Sequence, residues 1–108
     1  MAFNGNFLCT SFKVELMKGV HNFTAASNVF KIALYTNSAT FTAATTAYTA
    51  TNEVSGTNYT AGGNFLTSVT PVAISTTALT DFADEVFSTV TISAVRGALI
   101  YNAPASGD

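Results

Sequence analysis

Residues 47–66 divide this sequence into two kinds of chain. The stretch carries three of the seven glycines, Gly56, Gly62 and Gly63. It stands between an N-terminal part with a helix signal and a C-terminal part that reads as strands. Ser55-Gly56 and Gly62-Gly63-Asn64 are turn signals, because glycine enters positive φ without the clash a Cβ would make. No long helix or continuous strand can pass through such a segment, so it acts as the hinge of the topology. Tyr59, a large amphipathic ring between the two turns, reads as its anchor. The glycines do not form a phosphate loop, since Gly62-Gly63 lacks the lysine and the following helix that such a loop requires.

At 108 residues the chain is long enough for one core and reads as a single domain. Charged residues make up 9% of it, against roughly 25% in ordinary globular domains. Serine, threonine and alanine take their place on the surface. With a net charge of −2, copies of such a chain repel one another weakly, a composition suited to an assembly component. The four basic residues are dispersed and make no phosphate-tracking stripe, so nucleic acid is not the expected partner. A lone cysteine, Cys9, allows no intrachain disulfide and reads as a small buried hydrophobe. The first residues lack a basic, then apolar, signal-peptide pattern, and no run approaches membrane-spanning length. Maturation in a reducing cytoplasm, away from membranes, is therefore expected.

Along the chain, residues 1–9 read as an arm with Phe3 and Phe7 as aromatic anchors. Residues 10–19 read as a short helix, with Thr10 or Ser11 as N-cap, Phe12 and Leu16 on one face, Lys13 and Glu15 facing water, and Gly19 as the stop. At about two turns its apolar face must pack on a sheet. His21, the only histidine, reads as a turn or surface residue, with no Cys, Asp or Glu at ligand spacing. Residues 29–102 read as a β-rich core. Val29 to Tyr35 is a strand with Phe30, Ile32 and Leu34 toward the core and Lys31, Ala33 and Tyr35 on the wetter face. Residues 39–46 read as a loop. Pro71, which cannot donate to a ladder, marks an edge, a bulge or a boundary within residues 65–74. Residues 75–78 read as a turn and Asp81, Asp84 and Glu85 as a solvated acidic turn rather than a calcium loop. Residues 86–95 alternate as a β-branched strand, and the change of parity before Leu99 and Tyr101 predicts a β-bulge at Val95-Arg96-Gly97. Arg96 at that bulge is expected to brace one of the three carboxylates. The fold class is thus mainly β, a small sandwich or barrel-like antiparallel sheet with one short N-terminal helix packed on it.

Several blocks carry a resemblance. Ala47-Tyr48, Ala50-Thr51-Asn52-Glu53-Val54-Ser55-Gly56, Tyr59, Ala61-Gly62-Gly63 and Leu66-Thr67 come first. Asp81-Phe82-Ala83-Asp84 and Arg96-Gly97-Ala98-Leu99-Ile100-Tyr101-Asn102 follow, with Phe30-Lys31-Ile32-Ala33-Leu34-Tyr35 upstream. In this order and spacing they resemble a group of small virion proteins of tailed bacteriophages. That resemblance implies a β-rich structural protein of the particle, in the manner of a capsid decoration or cement protein. It implies as partners the major capsid protein and further copies of itself around a symmetry axis, on the capsid exterior. Residues 93–97 are one residue longer than that pattern.

The residues themselves offer no nucleophile and base, no metal cluster and no cofactor loop, so no catalytic, cofactor-binding or metal site is assigned and an enzyme is not expected. A neck, tail or fibre component is the nearest alternative. A carbohydrate-binding sandwich is another, with Tyr35, Tyr48, Tyr59 or Tyr101 stacking on sugars, although the chain has no tryptophan.

Overall fold

A computed structural model describes residues 7–25 and 28–103. The expected anchor Phe3 lies outside them. The elements are a helix, α1 (Thr10–Met17), and five strands: β1 (Phe30–Thr36), β2 (Asn64–Leu66), β3 (Ser68–Ile74), β4 (Thr77–Phe82) and β5 (Val95–Asn102). They form two antiparallel sheets, one ordered β2-β1-β5 and the other the β3-β4 hairpin. The fold is mainly β with one short helix, as its periodicities indicate. Its three-stranded sheet ends in β2 on one side and β5 on the other, so among the described residues it does not close into a barrel.

β1 is the centre of the molecule. Its first half pairs with β2, Phe30 opposite Leu66 and Ile32 opposite Asn64. Its second half is flanked on another course by the hinge itself, where Val54 N–H donates to Leu34 C=O at 3.0 Å and Thr36 N–H to Asn52 C=O at 3.0 Å. On the opposite edge β5 follows β1 from Phe30–Asn102 to Tyr35–Gly97, then slips so that Thr36 faces Val95. Arg96 is the extra residue, and the expected bulge is present. A second register shift, between Val69 and Val72 of the hairpin, brackets Pro71 and lets β3 carry a residue without an N–H.

Both faces of β1 are covered, and the expected division between them is corrected. The supposedly wetter face holds the central cluster: Ala33 and Tyr35 are fully buried with Ala39 and Phe41. Residues 37–62 fold back over that face, and the Phe41 ring meets Tyr35 edge-on at 4.6 Å. Hydropathy misassigned Tyr35 because its hydroxyl is satisfied locally, donating to Thr49 C=O at 2.6 Å, so burial leaves no unpaired group. Lys31 escapes the same face by lying over the Phe65 ring, 4.8 Å from its centroid. On the other face Phe30 is buried, while Ile32 and Leu34 are only half-buried.

Four local expectations change. Helix α1 starts after Cys9, which makes no side-chain cap, and none of its residues is buried; Leu16 and Met17 stay exposed, and only Phe12 among its large apolar residues is half-covered. Its Gly19 stop is as read, at φ 75°. The turn predicted for residues 75–78 is confined to Ser75-Thr76, and Asp81 and Phe82 belong to β4 rather than to an acidic turn. Residues 86–94 form no strand despite their alternation. Thr89 and Ala94 sit at φ 57° and 60°, which breaks a ladder, and the segment touches another only at the Thr57–Thr91 bridge. Arg96 forms no ion pair with Asp81, Asp84 or Glu85: among the described residues the only ion pair is His21 with Glu15.

Candidate functional site

The hinge folds around one carboxylate. Glu53 Oε1 accepts from the Tyr48 hydroxyl at 2.5 Å, and Oε2 from the Tyr59 hydroxyl and from Gly62 N–H at 2.8 Å. Tyr59 oxygen in turn accepts Leu34 N–H at 2.9 Å, which ties the hinge to β1. Tyr101 donates to Gly62 C=O at 2.7 Å and stacks on Tyr48, ring centres 4.7 Å apart. Tyr59 stacks on Phe87 at 5.9 Å. All four tyrosines of the chain therefore converge on Glu53 or its immediate contacts.

Two glycines allow this closure. Gly63, at φ 80°, lies so close to β1 that an added Cβ would stand 1.8 Å from Ile32 C=O. Gly56 approaches the Thr57–Thr91 bridge as closely, with an added Cβ 2.1 Å from Thr91 C=O. Both positions are glycine because the neighbouring backbone occupies the space of a side chain.

The electrostatics follow from the enclosure. Burial, then the bond to Glu53, pushes the Tyr59 phenol up to about 12, although Leu34 N–H favours its ionised form. Burial raises Tyr48, Tyr35 and Tyr101 as well, and the Glu53 carboxylate beside each adds to the effect. With both oxygens held by the chain's own donors, Glu53 acts as a clasp for the hinge. The tyrosine rings predicted as sugar platforms are turned inward: Tyr35 is fully buried and the other three are half-buried with their hydroxyls engaged.

A second polar group centres on His21, read from the sequence as a turn or surface residue; its side chain is buried. The His21 side chain is only 4% exposed. It lies 5.0 Å from the Phe12 ring and 6.4 Å from Phe30. Its Nδ1 accepts from Asn102 Nδ2 at 3.0 Å and its Nε2–H donates to Glu15 Oε1 at 2.9 Å. Glu15 therefore faces His21 and not open water. Asn102, 2% exposed, keeps its Oδ1 without a partner. Around this group Phe23 stacks on Phe30 at 4.6 Å and Phe82 meets Phe30 at 5.6 Å. These aromatics join α1, β1 and the hairpin.

An apolar groove of about 910 Å³ opens beside this cluster, with β5 along one side and α1 and β4 along others. Phe7 borders it, which is where the described part of the expected N-terminal arm lies. The hairpin wall is open to solvent over most of its length. In β3 every residue after Ser68 is exposed, and in β4 every residue before Phe82. Val72 and Ile74 are 58% and 62% exposed.

Among the described residues no three His, Cys, Asp or Glu side chains stand close enough to hold a metal ion. No helix among them is long and apolar enough to cross a membrane. Cys9 is half-buried, points its thiol at Thr42 C=O at 3.8 Å, and has its pKa raised by burial, the opposite of an activated nucleophile. The His21–Asn102 pair escaped the sequence reading because its members stand 81 positions apart, and Glu53 because its neighbours Tyr48, Tyr59 and Gly62, although near in sequence, carry no signal that they turn toward it. The one available signal was a lone acid flanked by Tyr48 and Tyr59 in an otherwise uncharged hinge. Comparison with protein-family models, with curated proteins and with solved structures returned no match.

Proposed function

We propose that this chain is a non-enzymatic structural protein of a tailed-bacteriophage particle, a decoration or cement protein that binds the major capsid shell from outside and stabilises it. The observation that carries the reading is the β3–β4 hairpin. A two-stranded ribbon is marginal by itself in water, yet this one presents Val69, Val72, Ile74 and Leu79 at 40–62% exposure. Apolar surface of that kind marks a contact with another protein. The kind of partner is supplied by the resemblance of the sequence blocks around residues 30–35, 47–67, 81–84 and 96–102 to small virion proteins. A surface with few charges suits dense packing on a shell, where each contact adds roughly 25 cal/mol per Å² of apolar area and repeats over every subunit.

The test is occupancy. Shells of the major capsid protein incubated with the wild-type chain are expected to carry it in many copies and to resist heating better than bare shells. Val72→Asp with Ile74→Asp is expected to abolish binding while leaving the circular dichroism spectrum native. Wild-type protein that neither binds shells nor delays their thermal disruption overturns the reading. Imaging that finds the protein at a single vertex moves it to the neck or tail, the second reading. The inward-turned tyrosines speak against the carbohydrate-binding alternative, for which saccharide binding to the folded protein is the direct check.

A further inference from the structure

We propose that His21 and Asn102 form a proton-operated amide switch: when His21 gains a proton at Nδ1, the Asn102 side chain turns over to present its oxygen to the ring. This inference does not depend on the virion reading.

The two bonds of the imidazole fix what each ring nitrogen can do. Glu15 Oε1 stands 2.9 Å from Nε2. An ionised carboxylate only accepts, so Nε2 carries a hydrogen in both charge states of the ring. The neutral ring then has its lone pair at Nδ1, where Asn102 Nδ2 donates at 3.0 Å. A proton added to the ring enters at that same nitrogen, the one place left for it. Two donors would then face each other across the existing bond. The remedy is already in place, because Asn102 Oδ1 is buried and without a partner among the described residues. Half a turn about the last side-chain bond exchanges Oδ1 and Nδ2 with little change of shape. Oδ1 then accepts from the imidazolium, and Nδ2 becomes the unpaired group. Each charge state of His21 therefore has one amide orientation that pairs with it and one that opposes it.

Enclosure makes the choice of orientation matter. With the His21 side chain 4% exposed and Asn102 2% exposed, bulk water does not stand in for a mismatched partner, and an opposed pair carries its full penalty. The surroundings leave the decision to these residues. α1 presents Glu15 and the Phe12 ring, β1 presents Phe30 and β5 presents Asn102. β4 reaches the cluster through Phe82, which meets Phe30. Cys9 and Arg96 border the adjoining groove, and among the described residues neither bonds to the ring. Glu15 is thus the one titratable group bonded to His21. His21 follows α1, and Asn102 ends β5 opposite Phe30 of β1. The switch accordingly sits where the helix segment is tied to the three-stranded sheet.

Nitrogen-15 NMR of the full chain tests this from about pH 8 down to about pH 5, the range in which histidine changes charge. At the upper end the ring nitrogens are expected to report the Nε2–H tautomer. As His21 takes up its proton, the side-chain amide signals of Asn102 are expected to shift with the same midpoint. In His21→Phe those amide signals are expected to stay fixed over the whole range. Glu15→Gln keeps an acceptor at Nε2 and removes the second titrating group, so the joint shift of ring and amide is expected to persist. Circular dichroism checks that both variants fold, and the wild-type titration decides the matter without them. A neutral ring in the Nδ1–H tautomer overturns the proposal. So does a ring that keeps one charge state across the range while the protein stays folded. Asn102 signals that remain fixed while His21 titrates, or that still move in folded His21→Phe, overturn it as well. These measurements need no capsid, so failure here is separate from failure of shell binding.

Discussion

Tyr59 hands its hydroxyl hydrogen to Glu53 while the same oxygen receives the Leu34 backbone N–H. One phenol thus completes the hydrogen bonding of a carboxylate in the hinge and of an amide in the central strand. The glycine-rich stretch is consequently a clasp closed onto β1, with its turns on the outside and its polar groups turned in. A merely flexible connection would leave the Leu34 amide and the Gly62 amide unpaired beneath it.

Removing the carboxylate should open that clasp. Glu53→Ala strands three donors at once, two phenols and the Gly62 amide. Such losses in a half-buried setting are expected to lower stability by about 3 kcal/mol. Glu53→Gln retains one acceptor and turns a donor toward another donor, so it should fall between wild type and alanine. Urea denaturation followed by tyrosine fluorescence reads the order. A Glu53→Ala protein as stable as wild type would mean that water replaces the carboxylate without cost.

The raised phenols give the fold a sensitivity to alkali. A tyrosine whose folded pKa lies above the unfolded value contributes stability that is complete below the unfolded pKa and is lost as pH rises through the folded one. For Tyr59 the window runs from 10.0 to about 12, and the other three phenols are shifted the same way. Stability is therefore expected to be flat with respect to these groups at neutral pH and to decline through that window. Denaturation midpoints measured across it, alongside the ultraviolet absorbance of phenolate, check the claim. Phenols that ionise at the ordinary tyrosine pH while the protein stays folded would contradict the enclosed cluster.

How much of this was legible in the sequence depended on how local the cause was. β1 was readable because alternation over residues 29–35 is its own signal; a bulge at Arg96 is present, although the alternation of residues 86–94 from which it was inferred belongs to no strand. The identity of the buried face was not, since Tyr35 reads as polar until Thr49 C=O is found next to its hydroxyl. Residues 86–94 had the composition of a strand, yet alternation gives no warning of left-handed backbone at Thr89 and Ala94. The three bonds to Glu53 lie within residues 48–62, but nothing in that window says that two tyrosines and a glycine amide turn toward one carboxylate, and its ties to β1 and β5 come from Leu34 and Tyr101 outside it. His21 failed because its partner Asn102 is 81 positions away.

The glycines of the two ends of the fold should respond differently to the same methyl group. Gly19 and Gly63 both have positive φ, 75° and 80°. At Gly19 an added Cβ meets nothing within 4 Å, so Gly19→Ala carries only the left-handed backbone penalty, about 1 kcal/mol. At Gly63 the same atom would stand 1.8 Å from Ile32 C=O, a contact that only displacement of β1 or the hinge can relieve. Gly63→Ala is expected to lose more than about 4 kcal/mol, or to be recovered unfolded. Thermal denaturation of the pair separates backbone strain from close approach, and equal losses would refute the close approach.

His21 and Asn102 form a pair whose separate and joint removal should disagree. His21→Phe keeps an aromatic ring among Phe12 and Phe30 but leaves Asn102 Nδ2 buried without its acceptor, in addition to the Oδ1 that already lacks a partner. It also frees Glu15 from its contact. Asn102→Leu removes the amide and leaves His21 Nδ1 unpaired. Each single change is expected to lower stability by about 1–3 kcal/mol, the penalty of a stranded buried group. The double variant replaces both partners by apolar side chains, so it should be more stable than the sum of the two losses predicts, with a coupling of about 1 kcal/mol or more. A double-mutant cycle by chemical denaturation gives that coupling directly. Strict additivity would show that the His21–Asn102 bond does not join the α1 segment to the end of β5.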